Sequence, residues 1–313
     1  MDGILLINKP PRLTSHDVVQ KVRKILGIQK VGHFGTLDPM ATGLMIVAVG
    51  KATRFFSFYS KLNKVYRGQI RLGFATNTYD ADGTPSTAEK ANFPSEETLL
   101  KYMADLTGEI EQIPPLFSAK KFKGKPLYVL ARKNQDVKPR PVTIQIYYFR
   151  LVSYDPPFIE FEAACSSGSY MRSLAHDLGQ SLQCGAHLSQ LERTAIGDFH
   201  IQSSITLEAL GKLVQETKIE KIFIPLESVL PEFPKIILNE EGVALAKNGN
   251  MVFSEHIHAL SRVSFNFPDT QTEPVQICRL FNQDGRLLAL GKLQPEKNGL
   301  HPYLVIDSDE SEV

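Results

Sequence analysis

One aspartate, Asp38, stands in a glycine-rich segment that carries no other carboxylate. The segment reads GHFGTLDPMATG over residues 32–43 and contains three glycines and a proline. A lone carboxylate can act as a nucleophile or a base if an arginine and a dry pocket keep it ionised. The alternative is an aspartate whose side chain stabilises a turn before Pro39. Spacing alone favours the turn and does not exclude the chemistry.

Aromatic residues alternate with basic ones in two further segments. Tyr66 lies in KLNKVYRGQIR, and Tyr170 lies in SSGSYMRS, two residues before Arg172. A phenol ring flanked by Lys or Arg suits the stacking of a nucleobase, which contributes roughly 1–3 kcal/mol per base. Packing in the core is the alternative for each ring. Arg172 can pair with a buried carboxylate in fork geometry, or it can lie on the surface.

The histidine nearest to this chemistry is His33, five residues before Asp38. It could catalyse proton transfer, it could wedge into a nucleic acid, or it could do neither. The other histidines lie in segments that offer no such context.

Other catalytic and cofactor patterns are missing from the sequence. VAVGKAT ends like a phosphate-binding loop, but Met45 occupies the glycine position and Ala52 follows Lys51. No GxGxxG follows a predicted strand, and neither GxSxG nor HExxH occurs. The three cysteines, Cys165, Cys184 and Cys278, have no CxxC spacing, which disfavours a disulfide framework or a zinc site.

The charge of the chain is segregated although its net value is only +1. Residues 1–71 hold twelve Lys or Arg against three Asp and no Glu, and residues 120–140 hold eight basic residues against one acidic. Such segregation indicates a polyanionic partner at one surface. The alternative is that the charges scatter over a solvated surface after folding.

Hydrophobic periodicity predicts the elements that must position these residues. Asp38 is expected between a helix, capped by Thr14 or Ser15 and closed by Gly27, and a buried strand GLMIVAVG. Residues 77–97 are expected to be an exposed excursion, and residues 111–140 a basic lobe. The other predicted strands are GILLI, VYRGQIRLGFAT, VTIQIYYFRLVSYD and FIEFEAACSS. The other predicted helices are ETLLKYMADLTG, which Gly108 stops, and SYMRSLAHDLGQSLQCG, and the segment GDFHIQSSITLEAL leads into a further helix.

The composition changes near residue 231, where LESVLPEFPKIIL brings two prolines around an apolar stretch. We place a domain boundary there, followed by a small β-rich module and an acidic tail expected to be disordered. No signal peptide and no apolar run long enough for a membrane span is found. A reducing cytoplasm is the expected compartment.

Four ordered blocks resemble the TruB family of tRNA pseudouridine synthases: GHFGTLDPMATG, KVYR, QIPPLFSAKKFKGKPLYVLAR and SGSYMRSLAHDLGQSLQCGAHLSQLERTAIGDF. The resemblance runs from Gly3 to about Leu230, and IPLESVL and AKNGNMV extend it. It implies that a uridine in the T-loop of tRNA, at position 55, is isomerised to pseudouridine. It implies no cofactor and no metal.

The resemblance also assigns roles to residues. Asp38 would be the nucleophile, Arg172 would pair with it, and Tyr66 would stack on the target base and remove its C5 proton. Three further residues would bind the substrate: Tyr170 and Leu191 in the base pocket, and His33 as a wedge among the T-loop bases.

The implied fold is α/β (α+β), with a mixed, mostly antiparallel sheet and helices outside. The catalytic domain would cover 1–231, with a basic RNA-gripping insertion at about 111–140, and a PUA-like RNA-binding β domain would cover 232–313. The implied partner is the T-arm of tRNA, with no membrane and no protein partner, and the chain would be a monomer.

Three positions depart from the family pattern. Residue 34 is Phe where a small residue is common, Ser167 stands where a lysine is usual, and Glu192 replaces an arginine. The last two lower the positive charge near the expected RNA surface. Two rivals remain: an RNA chaperone that has lost catalysis, and a synthase that acts on ribosomal or messenger RNA.

Overall fold

The computed structural model describes residues 1–118, 120–122, 124–131, 133, 137, 139–260 and 277–307. Part of the predicted basic lobe and the whole acidic tail after 307 therefore lie outside the described residues. Within them, the α-helices are α1 (Ser15–Leu26), α2 (Phe56–Tyr59), α3 (Glu96–Asp105), α4 (Leu127–Ala131), α5 (Met171–Ser181), α6 (Leu207–Gln215) and α7 (Glu240–Lys247).

The strands follow the chain from the N-terminal segment to the C-terminal module. They are β1 (Gly3–Lys9), β2 (Val31–His33), β3 (Thr42–Val49), β4 (Lys64–Leu72), β5 (Gly108–Gln112), β6 (Lys121–Phe122), β7 (Lys125–Pro126), β8 (Val142–Asp155), β9 (Phe158–Cys165), β10 (Ala186–Ile196), β11 (Phe199–His200), β12 (Ile224–Pro225), β13 (Lys235–Leu238), β14 (Ile257–Leu260), β15 (Ile277–Phe281), β16 (Leu287–Gln294) and β17 (Gly299–Val305).

The chain divides into two compact units, and the division passes through β1 and β3. The first unit comprises residues 6–47 and 56–219, and the second comprises 1–5, 48–55 and the chain from 220 onward. In the first unit the strand order is β3–β10–β4–β9–β8–β5, with β3 parallel to β10 and the later pairs antiparallel. Helix α5 packs against β10 and α3 against β8. The predicted mixed, mostly antiparallel sheet with flanking helices is confirmed.

Local signals placed the first helix correctly. Thr14 accepts a hydrogen bond from the backbone N–H of Asp17, whose carboxylate accepts one from the Thr14 backbone in return. This reciprocal cap satisfies donors that a helix start leaves unpaired. Gly27 ends the helix in the left-handed region, at φ 68°. Helix α3, by contrast, ends at Asp105 rather than near Gly108, which instead begins β5.

Strand β10 lies at the centre of the sheet, and the sequence did not reveal it. Its register against β4 shifts between Leu188 and Gln190 and again between Arg193 and Ala195. A bulge inserts a residue into one strand and so breaks the alternation of buried and exposed side chains. The period-two pattern by which a half-buried strand is found is therefore absent from AHLSQLERTAI.

The second unit contains a separate sheet in the order β14–β13–β15–β16–β17. Its core includes Ile236, Leu280 and Leu288, each fully buried, with α7 packed against the sheet. Inside the same unit, the Nζ of Lys51 lies 3.1 Å from an oxygen of Asp307. The predicted β-rich C-terminal module is confirmed. Among the described residues, none of the helices combines the length and hydropathy that a bilayer crossing requires.

Candidate active site

The loop between β2 and β3 carries Asp38 and is fastened from several sides. Ser15 Oγ accepts a hydrogen bond from the backbone N–H of Leu37 at 2.8 Å and donates one to its carbonyl at 3.1 Å. Gly43 has φ +103°, and a Cβ there would lie 2.4 Å from the carbonyl oxygen of Arg193. A glycine is required at this position because the strands approach so closely.

Arg172 contacts Asp38 through two nitrogens. Nη2 donates to Oδ1 at 2.9 Å, and Nε lies 2.8 Å from Oδ2. The Arg172 side chain, in the first turn of α5, is 4% exposed, whereas that of Asp38 is 31% exposed. The carboxylate therefore faces accessible space while the guanidinium that holds it is buried. Arg172 thus places a buried positive charge against both oxygens of the carboxylate.

A second carboxylate, Asp80, lies on the same guanidinium. Its Oδ2 is 3.3 Å from Arg172 Nη1, and its Oδ1 accepts a hydrogen bond from Thr78 Oγ1 at 2.5 Å. Burial raises the pKa of Asp80, against the lowering effects of the Thr78 hydrogen bond and of Arg172. Arg172 also donates to the carbonyls of Thr78 and Phe117. Asp80 thus orients the arginine from the side opposite Asp38.

Asp80 lies in the segment expected to be an exposed excursion, and it is buried there. The segment is otherwise mostly exposed, but its backbone bonds to β10: Leu188 donates to the carbonyl of Tyr79, and Ala81 donates to that of Leu188. This long-range pairing buries one aspartate of the polar run TYDADG and leaves Asp82 exposed. The local sequence offers no signal that distinguishes the two.

Tyr66 projects from β4 and is buried, with 8% of its surface exposed. Burial raises the pKa of its hydroxyl, and the charge of Arg193 acts in the opposite direction. Arg193 is its cross-strand partner in β10. The ring therefore enters the site as a mostly neutral phenol whose oxygen faces a cation.

Buried cations form a set of site residues that sequence reasoning missed. Arg193 donates to three backbone carbonyls in or beside the Asp38 loop, those of Gly35, Thr36 and Leu44. Lys9 Nζ donates to Pro39, which follows Asp38, and to two carbonyls near the start of α1. Lys64 Nζ donates to the carbonyl of Ser60. Burial lowers the pKa of each of these two lysines to about 8.

Asp38, Tyr66 and Arg172 line a cavity of about 320 Å³, which is large enough for a nucleoside. Tyr170 lies at the entrance to α5, where Gln112 accepts from its backbone N–H at 2.7 Å and donates to its carbonyl at 3.1 Å. Leu191 of β10 supplies an apolar wall and also lines a wider groove of about 690 Å³. The lining includes Asp38, Lys64, Tyr66, Ser166, Ser169, Tyr170, Arg172, Leu191 and Arg193.

The structure thus brings together five of the six predicted residues, and His33 is the exception. It ends β2, is half-buried, and its Nδ1 accepts from the backbone N–H of Gly35 at 3.4 Å. Gly35 lines the cavity, but His33 does not. Burial lowers the pKa of His33, with the Arg193 charge acting in the same direction.

None of the three cysteines is among the residues that line this cavity. Cys165, Cys184 and Cys278 are free and buried. Burial raises the pKa of the Cys165 thiol to about 11, so it stays protonated at neutral pH. In the part of the chain that the structure describes, no group of three His, Cys, Asp or Glu residues is arranged to hold a metal ion.

Comparison with known proteins identifies the class of this site. Residues 23–171 match the TruB family pseudouridylate synthase N-terminal domain, and residues 172–231 match the tRNA pseudouridylate synthase B C-terminal domain. The chain belongs to the TruB family of pseudouridylate synthases. It is 44% identical over 250 residues to tRNA pseudouridine synthase B of Solibacter usitatus, covering 80% of this chain and 85% of that protein. The corresponding protein of Dehalococcoides mccartyi (strain BAV1) is 37% identical over 306 residues, covering 97% of this chain and 96% of the relative.

Solved structures of the same class share the fold. A chain in a structure of an H/ACA RNP bound to a substrate RNA containing 2'-deoxyuridine aligns with a TM-score of 0.71 at 25% identity, covering 97% of this chain and 84% of that one. A chain of a Cbf5-Nop10-Gar1 complex aligns with the same TM-score at 26% identity, covering 98% and 85%. The alignment extends over nearly the whole chain, including the C-terminal region.

Proposed function

We propose that this protein is a tRNA pseudouridine synthase that isomerises uridine 55 in the T-loop. The observation that carries the proposal is the partly exposed Asp38 carboxylate, held by the buried Arg172 at the wall of a nucleoside-sized cavity that Tyr66 also lines. The names of the relatives supply tRNA as the substrate class. The T-loop position follows from the sequence resemblance.

The reaction explains why one carboxylate is enough. The N1–C1' bond of the nucleotide breaks, the base turns, and a C5–C1' bond forms. C5 loses a proton and N1 gains one, so the product is an isomer and no water is consumed. Asp38 supplies the attacking carboxylate, whether on the base or on the sugar, and the bond that it forms breaks again before the product leaves, while Arg172 holds the carboxylate in place. Tyr66 stacks on the base and removes the C5 proton.

Base flipping and RNA binding fall to the surrounding residues. Removing a base from its stack costs a few kcal/mol, which new contacts must offset. Tyr170 and Leu191 provide the pocket, and His33, at the end of β2 before the Asp38 loop, acts as the wedge. The basic segments 1–71 and 120–140 supply phosphate contacts and therefore a salt-dependent affinity. We further propose that the chain acts as a cytoplasmic monomer on the T-arm, with the domains divided at 231.

The test is incubation of the purified full chain with an unmodified tRNA transcript, followed by chemical mapping of pseudouridine. We expect one new pseudouridine, in the T-loop, and none in a transcript with cytidine at position 55. A product only in ribosomal or messenger RNA would favour the rival substrate class. Tight, salt-sensitive binding without product would favour the RNA chaperone.

Replacing Tyr66 with Phe should keep the ring in the cavity and remove the proton acceptor. We expect the single-turnover rate to fall by about 100-fold, the lower range for loss of acid–base catalysis. Affinity for tRNA should change little, because the stacking surface remains. An unchanged single-turnover rate would refute the assigned role.

Replacing His33 with Ala should impair opening of the T-loop more than chemistry. The expected result is a rate loss of about tenfold on a folded T-arm. Flipping the base costs a few kcal/mol, and the variant loses the contacts by which His33 compensates for part of that cost. The loss should be smaller on an unstructured strand of the same sequence, where the base is already unstacked. Equal losses on both substrates would count against the wedge. His200→Ala is the control, because His200 is an exposed histidine in the same unit.

A further inference from the structure

We propose that Arg193 is a positioning residue for the proton-transfer step: it holds the Tyr66 oxygen as the acceptor of the C5 proton and ties it to the loop that carries Asp38. The inference rests on the proposed function, because it presumes that Tyr66 removes this proton. The pairing of Asp38 with Arg172 does not explain why a second cation, Arg193, is buried in this site, and the inference gives Arg193 a role.

The surroundings of Arg193 make it unusual. It is 1% exposed, and its guanidinium donates to the carbonyls of Leu44 at 2.8 Å, Thr36 at 3.2 Å and Gly35 at 3.1 Å. Within the described ranges, no carboxylate oxygen lies within ion-pair distance of it. Buried arginines are usually paired with an anion, because an unpaired charge in a low-dielectric site is costly. A buried positive charge without a permanent anionic partner can stabilise an anion that forms in the site during the reaction.

Tyr66 is the group in which that anion can form. Arg193 and Tyr66 face each other in the β10–β4 register, and both line the cavity. Directly opposite residues of an antiparallel pair have their Cβ atoms about 4.5–5.5 Å apart, which puts the guanidinium within reach of the phenol oxygen, and a guanidinium can only donate to that oxygen. Of the other groups near this hydroxyl, Cys165 and Asp38 disfavour its ionised form. Arg193 is the cation that favours it.

The step can be written with its atoms balanced. After the C5–C1' bond has formed, the phenolate oxygen of Tyr66 takes the proton from C5. The electron pair of the C–H bond restores the C5–C6 double bond, the charge that passes to N1 is neutralised by a proton from solvent, and the neutral phenol later releases its own proton to solvent. Loss of the Arg193 charge makes the phenolate rarer, and each unit by which the Tyr66 pKa rises costs about a factor of ten in its population.

The alternative is that Arg193 only holds the Asp38 loop through its three carbonyl bonds. A substrate pair separates the two roles. Uridine at the target position must lose the C5 proton, whereas 5-fluorouridine has no proton at C5, so cleavage of N1–C1' and formation of C5–C1' proceed without a proton acceptor. Damage to the loop slows both substrates, because both need Asp38.

The experiment compares single-turnover conversion of the two transcripts by wild type, Arg193→Met and Arg193→Lys. We expect Arg193→Met to slow uridine at least about tenfold more than 5-fluorouridine, the factor set by one unit of pKa. Arg193→Lys should recover part of that difference because it restores the charge. Tyr66→Phe should show the same selectivity as Arg193→Met.

Equal slowing of both substrates, or no slowing of either, would overturn the inference. The ratio of the conversion rates of the two transcripts, measured in one preparation, does not depend on the fraction of protein that is folded. If Arg193→Met fails to fold, the same ratio is measured with Arg193→Lys. Failure of the proposed function has a different signature. In that case Asp38→Asn would still convert uridine, or wild type would convert neither transcript.

Discussion

Replacing Asp38 with Asn should reduce pseudouridine formation by at least about a thousandfold, the scale expected when a covalent nucleophile is lost. Asparagine has the same shape and leaves the loop contacts intact, because these run through Leu37, Thr36 and Pro39 rather than through the carboxylate. A neutral amide, however, cannot attack carbon. Affinity for tRNA should stay within about twofold of the wild-type value. Binding is largely electrostatic, and a single side chain that lies away from the phosphates contributes little to it.

Single-turnover assays and filter binding at fixed salt would measure the two quantities separately. Asp198→Asn is the matched control, because it makes the same chemical change on an exposed turn of the same unit. It should behave as wild type in both assays. Near-normal turnover by Asp38→Asn would show that Asp38 is not the nucleophile, and the proposed mechanism would then be wrong.

Replacing Arg172 with Met should have the second-largest effect, a rate loss of about a thousandfold. Breaking a buried ion pair costs about 3–5 kcal/mol, and each 1.36 kcal/mol in a barrier is tenfold in rate. Two carboxylates, Asp38 and Asp80, would then lie without the cation that separates them. One of them takes up a proton to relieve the repulsion. Asp80, whose pKa burial already raises, is the carboxyl group that takes it up, and Asp38 is left without the guanidinium that positions it.

The stability of the same variant should depend on pH through Asp80. Burial already raises the pKa of Asp80, and loss of Arg172 removes a group that lowers it. A carboxyl group whose folded-state pKa lies above its unfolded value contributes stability at low pH and loses it as pH rises through the folded pKa. Thermal unfolding of Arg172→Met should therefore occur at a higher temperature in mildly acidic buffer than at neutral pH.

Arg172→Lys tests geometry separately from charge. It keeps one positive charge and loses the fork that reaches Asp38, Asp80 and two carbonyls, so its rate should lie between those of wild type and Arg172→Met. If Arg172→Met stays within tenfold of wild type, the arginine is a structural residue and the position of the Asp38 carboxylate has another cause.

The sequence by itself determined the elements whose signals are local. The cap at Thr14 and the left-handed glycine at 27 set the bounds of α1, and alternation or a continuous apolar run revealed β1, β3, β4, β8 and β9. The glycine-rich loop singled out Asp38, because few chains place one acid among such residues without a reason. The segregated charge indicated a polyanionic partner. Except for the charge, each of these signals lies in the segment that it predicts.

Only the tertiary structure decided which charges are buried and which groups they meet. Asp80 and Asp82 look alike in the sequence, and pairing of their backbone with Leu188, over a hundred residues away, buries one of them. Arg193 lies on the buried face of β10 with Leu191 and Ala195, opposite Tyr66, where it bonds to the Asp38 loop. Burial and long-range pairing set the electrostatics of this site, and neither is encoded in a local window of sequence.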